Sequence, residues 1–227
     1  MERMEFAMLL VEYIIADRPL MYFDETTFNG DMHMKKAWFV KGQRFAMPII
    51  KQAQKKGVKQ GFTVYGTVGE SIKDNGYFEI HKSSNKVDFM GYMARLRTQM
   101  TTKPGEEKPV LVLDNLGAHC GEPKRKLMRT FCKPEYTPTY SCELNGPIET
   151  CWAILKKRVL TRWTKLLIRK TGNKSKLKAI VRDELYRKID KQIFANVCRS
   201  HYSYLQDQLD KVANGEYIMG SHRNWID

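Results

Sequence analysis

The spacing of apolar residues changes character several times along this chain. Glu5 to Ala16 is apolar-rich and is closed by Asp17, Arg18 and Pro19, which predicts a helix ending there. PLMYFDETTF, rich in aromatic and β-branched residues, reads as a strand. KAWFV, RFAMPII and GFTVYGTV predict three more strands, with polar turns between them. GYFEIH predicts another, opened by the Asp74-Asn75-Gly76 turn signal. The first third of the chain therefore reads as a mostly antiparallel meander.

The period then shifts. Val87, Phe89, Met90, Met93, Leu96 and Met100 fall on one side of a helix that Asn85 can cap. KPVLVLD is a short continuous apolar run, the pattern of a buried parallel or central strand. PKRKLMRTF predicts a helix, and a short extended stretch after it ends near Pro138. The next helix has Asn145 as candidate cap, Pro147 in its first turn, and Ile148, Trp152, Leu155 and Val159 on one face. Lys176 to Leu209 predicts one or two more. A meander followed by helix, strand and helix predicts an α/β fold. Its mixed sheet would join antiparallel strands to parallel ones, with helices at its flanks.

Composition narrows the function classes. The chain has 227 residues, 42% of them apolar, enough for a sizeable core. No apolar run approaches the ~20 residues of a membrane span. The first residues carry acids and no small-residue cleavage site, so no signal peptide is expected. Five cysteines without a CxxC spacing argue against a disulfide framework or a zinc finger, and fit a reducing compartment. The net charge of +14 is uneven: 22 Lys+Arg against 18 Asp+Glu up to Thr150, and 17 against 7 from Cys151 onward. A basic half beside a nearly neutral half points to a polyanion, most often nucleic acid.

Three acids stand out. Asp24 lies inside an apolar strand, Asp114 ends the strand VLVL, and Glu149 lies in the first turn of a helix. A carboxylate in an apolar strand is costly to bury unless it is paired, protonated or bound to a cation. Acids converging at strand and helix ends make a hard-oxygen site suited to Mg²⁺. Each also has a structural reading: a strand-end acid, a turn cap, or a charge on the helix dipole. Glu25 and Glu143 are neighbours that compete for the same roles.

Together, YFDETTF, VLVLDNLGAH and YSCELNGPIETCWAILK resemble, in order and at the right spacing, the three catalytic blocks of the mariner superfamily of DNA transposases. AWFVKGQRF also resembles that family's Trp-x-x-x-Gly-Gln strand pair, so the likeness spans about Pro19 to Leu160. The resemblance implies a ribonuclease H-like catalytic domain with Asp24, Asp114 and Glu149 as the triad. They would hold two Mg²⁺ ions, replaceable by Mn²⁺, for hydrolytic DNA strand cleavage and then strand transfer. It implies double-stranded DNA partners, both transposon ends and target, and a homodimer in the DNA complex, with no membrane association. It also places His119 near the site, on a DNA phosphate or a metal-bound water; the other reading is a turn or capping histidine. A nuclear location follows from the substrate, or the cytoplasm in a bacterium.

There are departures. Cys142 replaces a usual proline, and Gly146 is inserted between Asn145 and Pro147. One added residue rotates a helix start by about 100° unless the preceding loop absorbs it. Only a short segment precedes the first catalytic block, so the usual N-terminal helix-turn-helix modules are expected to be missing. The expected organisation is an N-terminal helix over 1–17, the catalytic domain over 18–171 and a basic helical extension over 172–227. Lys156, Lys157, Arg158, Arg162 and Lys165, followed by Arg169 and Lys170, form a run without an acid. They are expected to meet DNA phosphates, with Trp152 in the core behind the active site. The competing function is a domesticated, catalytically inactive DNA-binding descendant.

Overall fold

A computed structural model describes residues 3–30, 32, 61–83, 85–102, 106–117, 119–139, 141–169, 172–186 and 191–215. The strands expected over KAWFV and RFAMPII, and the Trp-x-x-x-Gly-Gln pair, lie outside them.

Helix α1 (Arg3–Ile15) leads into β1 (Leu20–Phe28). Strands β2 (Phe62–Gly69) and β3 (Gly76–His81) are joined by a short turn in which Asp74 and Asn75 both adopt φ near 60°. That turn is the one signalled by Asp74-Asn75-Gly76. Helix α2 (Lys86–Thr98) follows, with the Asn85 side chain accepting hydrogen bonds from the Val87 and Asp88 amides. Strand β4 (Val110–Leu113), helix α3 (Glu122–Arg129) and strand β5 (Lys133–Tyr136) follow, the last strands among the described residues. Helices α4 (Gly146–Ile168), α5 (Lys174–Tyr186) and α6 (Lys191–Ala213) follow.

The sheet order is β3-β2-β1-β4-β5. β1–β2 and β2–β3 are antiparallel; β1–β4 and β4–β5 are parallel. Parallel neighbours need a crossover, and α2 and α3 provide it. The expected mixed sheet with flanking helices is therefore the observed fold.

The sheet divides two cores. Because side chains alternate across a strand, Tyr22 and Phe28 face the core shared with α1, α4, α5 and α6, whereas Met21 and Phe23 face the core under α2 and α3. Asp24 shares the parity of Tyr22, and Glu25 that of Phe23. The boundaries expected at 17 and 171 separate no cores. Phe6 and Leu10 of α1, Val181 of α5 and Leu205 of α6 are buried in one cluster with Tyr22, Val64 and Trp152.

Candidate active site

Strands β1 and β4 run parallel with Tyr22 level with Val112. Two residues further along, the same register brings Asp114, just beyond β4, level with Asp24. Helix α4 starts over this end of the sheet and adds Glu149 from its first turn. The three carboxylates line one open cleft of about 310 Å³, together with Thr137, Pro138, Cys142 and Asn145. The competing acids point elsewhere: Glu143 pairs with Arg3 at 3.7 Å, and Glu25 lies on the opposite face of the sheet.

Burial, helped by the negative charges of Glu149, Glu25 and Asp114, pushes the Asp24 carboxyl up to about 7; the Glu25 amide opposes this by hydrogen bonding. Glu149 is also raised, by burial and Asp114, against the pull of Lys156. Asp24 and Glu149, whose proton affinity burial and neighbouring acids raise, form with Asp114 a hard-oxygen set that a divalent cation would relieve. In that chemical sense the residues fit Mg²⁺ or Mn²⁺. Among the described residues, no three His, Cys, Asp or Glu side chains stand around one point at coordinating distance.

The inserted Gly146 is absorbed locally. A short 3₁₀ turn, Cys142–Asn145, runs straight into α4. Asn145 sits at the cap position, but its side chain does not cap the helix as expected. Its Nδ2 instead donates to the Phe23 carbonyl at 2.8 Å, fastening the helix start to the strand that carries Asp24. Gly146 has no room for a side chain, since a Cβ there would lie 2.5 Å from Nδ1 of His201. His201 is buried on α6, edge-on to Tyr22 with ring centroids 5.7 Å apart, and burial pushes its pKa down to about 4.

His201 and Asp24 set opposite pH dependences. Between about pH 4 and 6.5 the unfolded chain protonates this histidine and the fold does not, so its contribution to stability is lost as pH falls. Between about 4 and 7 the folded Asp24 holds a proton that the unfolded chain has released, so its contribution grows as pH falls. Each is worth up to ~1.4 kcal/mol per pH unit inside its window. In thermal melts with chelator, His201→Gln is expected to gain stability relative to wild type on acidification from pH 6.5 to 4.5. Asp24→Asn is expected to lose it. Parallel wild-type and variant curves would contradict these assignments.

His119, expected beside DNA, has no exposed surface. Its ring packs on Phe23 and Phe89 in the second core, at centroid distances of 5.2 and 4.7 Å. Nδ1 lies 2.5 Å from Oδ1 of Asp114. Nε2 lies 2.9 Å from Oε2 of Glu25, an ion-pair distance. Burial lowers its proton affinity, but the two carboxylates more than offset this and raise it to about 9. A buried imidazolium bridging two acids cannot reach a phosphate, so the expected DNA contact is corrected to a support beneath Asp114.

The basic run also divides. Lys156, Lys157 and Lys165 are exposed, and Lys156 shares a helical side with Glu149 seven residues earlier. Arg158 is half-buried and lines a small cavity that Phe78 and Trp152 also line. Arg162 departs from expectation: its guanidinium pairs with Glu184 at 2.7 Å and with Asp183, pinning α4 to α5. Its charge is shared with these two acids.

The sequence missed a contact of Trp152. Its Nε1–H donates to Oδ2 of Asp24 at 2.9 Å. The visible signal was the isolated Gly66 inside the strand FTVYGTV, since a lone strand glycine often marks a close approach by another group.

A family model described as DDE superfamily endonuclease matches residues 19–166. The chain belongs to this family. No curated protein matches it by sequence. Its fold is that of the ribonuclease H-like catalytic domain of a mariner transposase. The Mos1 mariner paired end complex with Mn superposes with a TM-score of 0.66 at 16% identity, covering 95% of this chain and 62% of that one. This DDE-family chain thus spans less than two thirds of that transposase. The Mos1 catalytic domain alone gives a TM-score of 0.55 at 14% identity, covering 95% and 93%. The same domain with raltegravir and Mg gives 0.57 at 14% identity, covering 95% and 94%. Among the described residues, no helix is long and apolar enough to cross a membrane.

Proposed function

We propose that this DDE-family chain cleaves double-stranded DNA in a metal-dependent reaction and joins the freed 3′ end to a target, as a transposase-type catalytic domain. The observation that carries this is the convergence of Asp24, Asp114 and Glu149 on one cleft, where burial and like charge raise Asp24 and Glu149. Asp24 and Asp114, level on adjacent strands, would hold one Mg²⁺, and Glu149 with an acid of the pair a second. When bound, such ions lower the proton affinity of an attacking water or 3′-hydroxyl and stabilise the leaving oxygen. The chain's own part is to hold these carboxylates in place around the cleft. Asn145 fastens Glu149's helix to Asp24's strand, and His119 holds Asp114 from beneath.

Lys156, Lys157 and Lys165 are exposed along α4, Lys156 on the side of Glu149, and would neutralise DNA phosphates. Replacing all three by Ala is expected to weaken DNA binding and lower the slope of log affinity against log salt by about 3. Fluorescence anisotropy across a salt series measures both, and an unchanged slope would place the DNA elsewhere. A dimer on paired DNA ends, acting in the nucleus, completes the reading.

The second reading, a DNA-binding protein without cleavage, is favoured by the absence of a preassembled three-ligand cluster among the described residues. Incubation with supercoiled plasmid in Mg²⁺, Mn²⁺ or EDTA separates the two. Nicking that needs a divalent ion supports the nuclease. DNA binding in all three conditions with no nicking supports the binder.

A further inference from the structure

Strand register puts three residues in one row across the sheet: Asp24 on β1 opposite Gly66 on β2, and Gly66 opposite Phe78 on β3. Cross-strand partners share a face, so all three face α4. The Trp152 indole lies over this row. Its ring meets Phe78 edge-on at a centroid distance of 5.7 Å, and its Nε1–H reaches Oδ2 of Asp24 at 2.9 Å. The middle of the row is open because position 66 is glycine. A Cβ there would come within 2.5 Å of Trp152 Cη2, 2.7 Å of Cζ2 and 2.8 Å of Phe78 Cδ1. Trp152 is almost fully buried and follows Glu149 by three residues, so one helical turn joins two of the three acids.

We propose that Trp152 is a positioning residue that orients the Asp24 carboxylate for divalent-cation binding, and that Gly66 is the seat that lets the indole reach it. An aromatic side chain serving only as core filler needs no donor on an acid of the cleft. Here the N–H occupies one carboxylate oxygen and fixes the plane of the other. Partners that orient a metal ligand in this way typically change metal affinity about 10–100-fold when removed. The inference rests on the metal-dependent reading above and adds a residue to it.

The test measures Mn²⁺ affinity by electron paramagnetic resonance of the free ion, with the full chain and no DNA. Trp152→Phe keeps the ring and removes the donor. Gly66→Ala pushes the indole from behind and leaves Asp24 itself unchanged. Trp163→Phe is the control: Trp163 is equally buried on the same helix, but its Nε1–H donates to the Gly30 carbonyl at 3.2 Å. The expected result is about tenfold weaker Mn²⁺ binding for Trp152→Phe, a similar direction for Gly66→Ala, and wild-type affinity for Trp163→Phe. A Mg²⁺-induced change in tryptophan emission should also be present in wild type and Trp163→Phe and lost in Trp152→Phe. Should Trp152→Phe bind Mn²⁺ as tightly as wild type, or weaken no more than Trp163→Phe, the positioning role is overturned and the metal reading stands. A wild-type protein that binds no Mn²⁺ overturns both.

Discussion

Asp114→Asn is expected to reduce divalent-dependent nicking of supercoiled plasmid by about 10²–10³-fold, the loss typical of removing one charge-stabilising group. DNA affinity should be unchanged or slightly higher, because the change deletes a negative charge. The substitution is nearly isosteric, and an asparagine oxygen still accepts from His119 Nδ1, so the strand end and the buried imidazole keep their places. Only the charge beside Asp24 is lost, and with it the donor set that would hold a cation. A rate within tenfold of wild type would show that the cleft is not where cleavage occurs. Nicking absent from both proteins, with DNA binding intact, would favour the binding reading.

The largest expected effect on stability comes from His119→Ala. The imidazolium is buried between Asp114 and Glu25, against the rings of Phe23 and Phe89. Removing one member of a buried ion pair typically costs 3–5 kcal/mol, because the partner charge is left without compensation. Asp114 is partly exposed and water can solvate it, which places the expected loss near the lower end, about 3 kcal/mol. For a chain of this size that corresponds to a fall in melting temperature of roughly 6–12 °C. Differential scanning calorimetry in the absence of metal measures it. Adding Glu25→Gln to His119→Ala should recover part of the loss, since the orphaned charge is then removed. If His119→Ala melts with wild type, the contacts seen here contribute no net stability.

Much of this protein was legible from one-dimensional pattern. The aromatic and β-branched runs LMYFDETTF and FTVYGTVG, the continuous run VLVL and the cap at Asn85 each encode a local backbone preference, and local preferences survive without knowledge of the rest of the chain. The three acids were legible too, because a carboxylate inside or at the end of an apolar run is conspicuous wherever the chain folds. What the pattern does not carry is which side chain faces which. His119 follows Asp114 by five residues, yet the turn between them carries it under the sheet, where Glu25 and not DNA awaits it. Arg162 stands in a run of cations indistinguishable by sequence from Lys165, and only the packing of α5 against α4 brings Asp183 and Glu184 to it. Asn145 occupies the cap position that sequence gave it, but a carbonyl from β1, far away in the chain, takes its side chain. The Gly66 seat and the Trp152 bond to Asp24 join three segments distant in sequence. Sequence alone thus determined the elements and the identity of the acids. Tertiary structure decided the partners of each charge, because burial and Coulomb interactions act through space between residues whose separation along the chain says nothing of their distance.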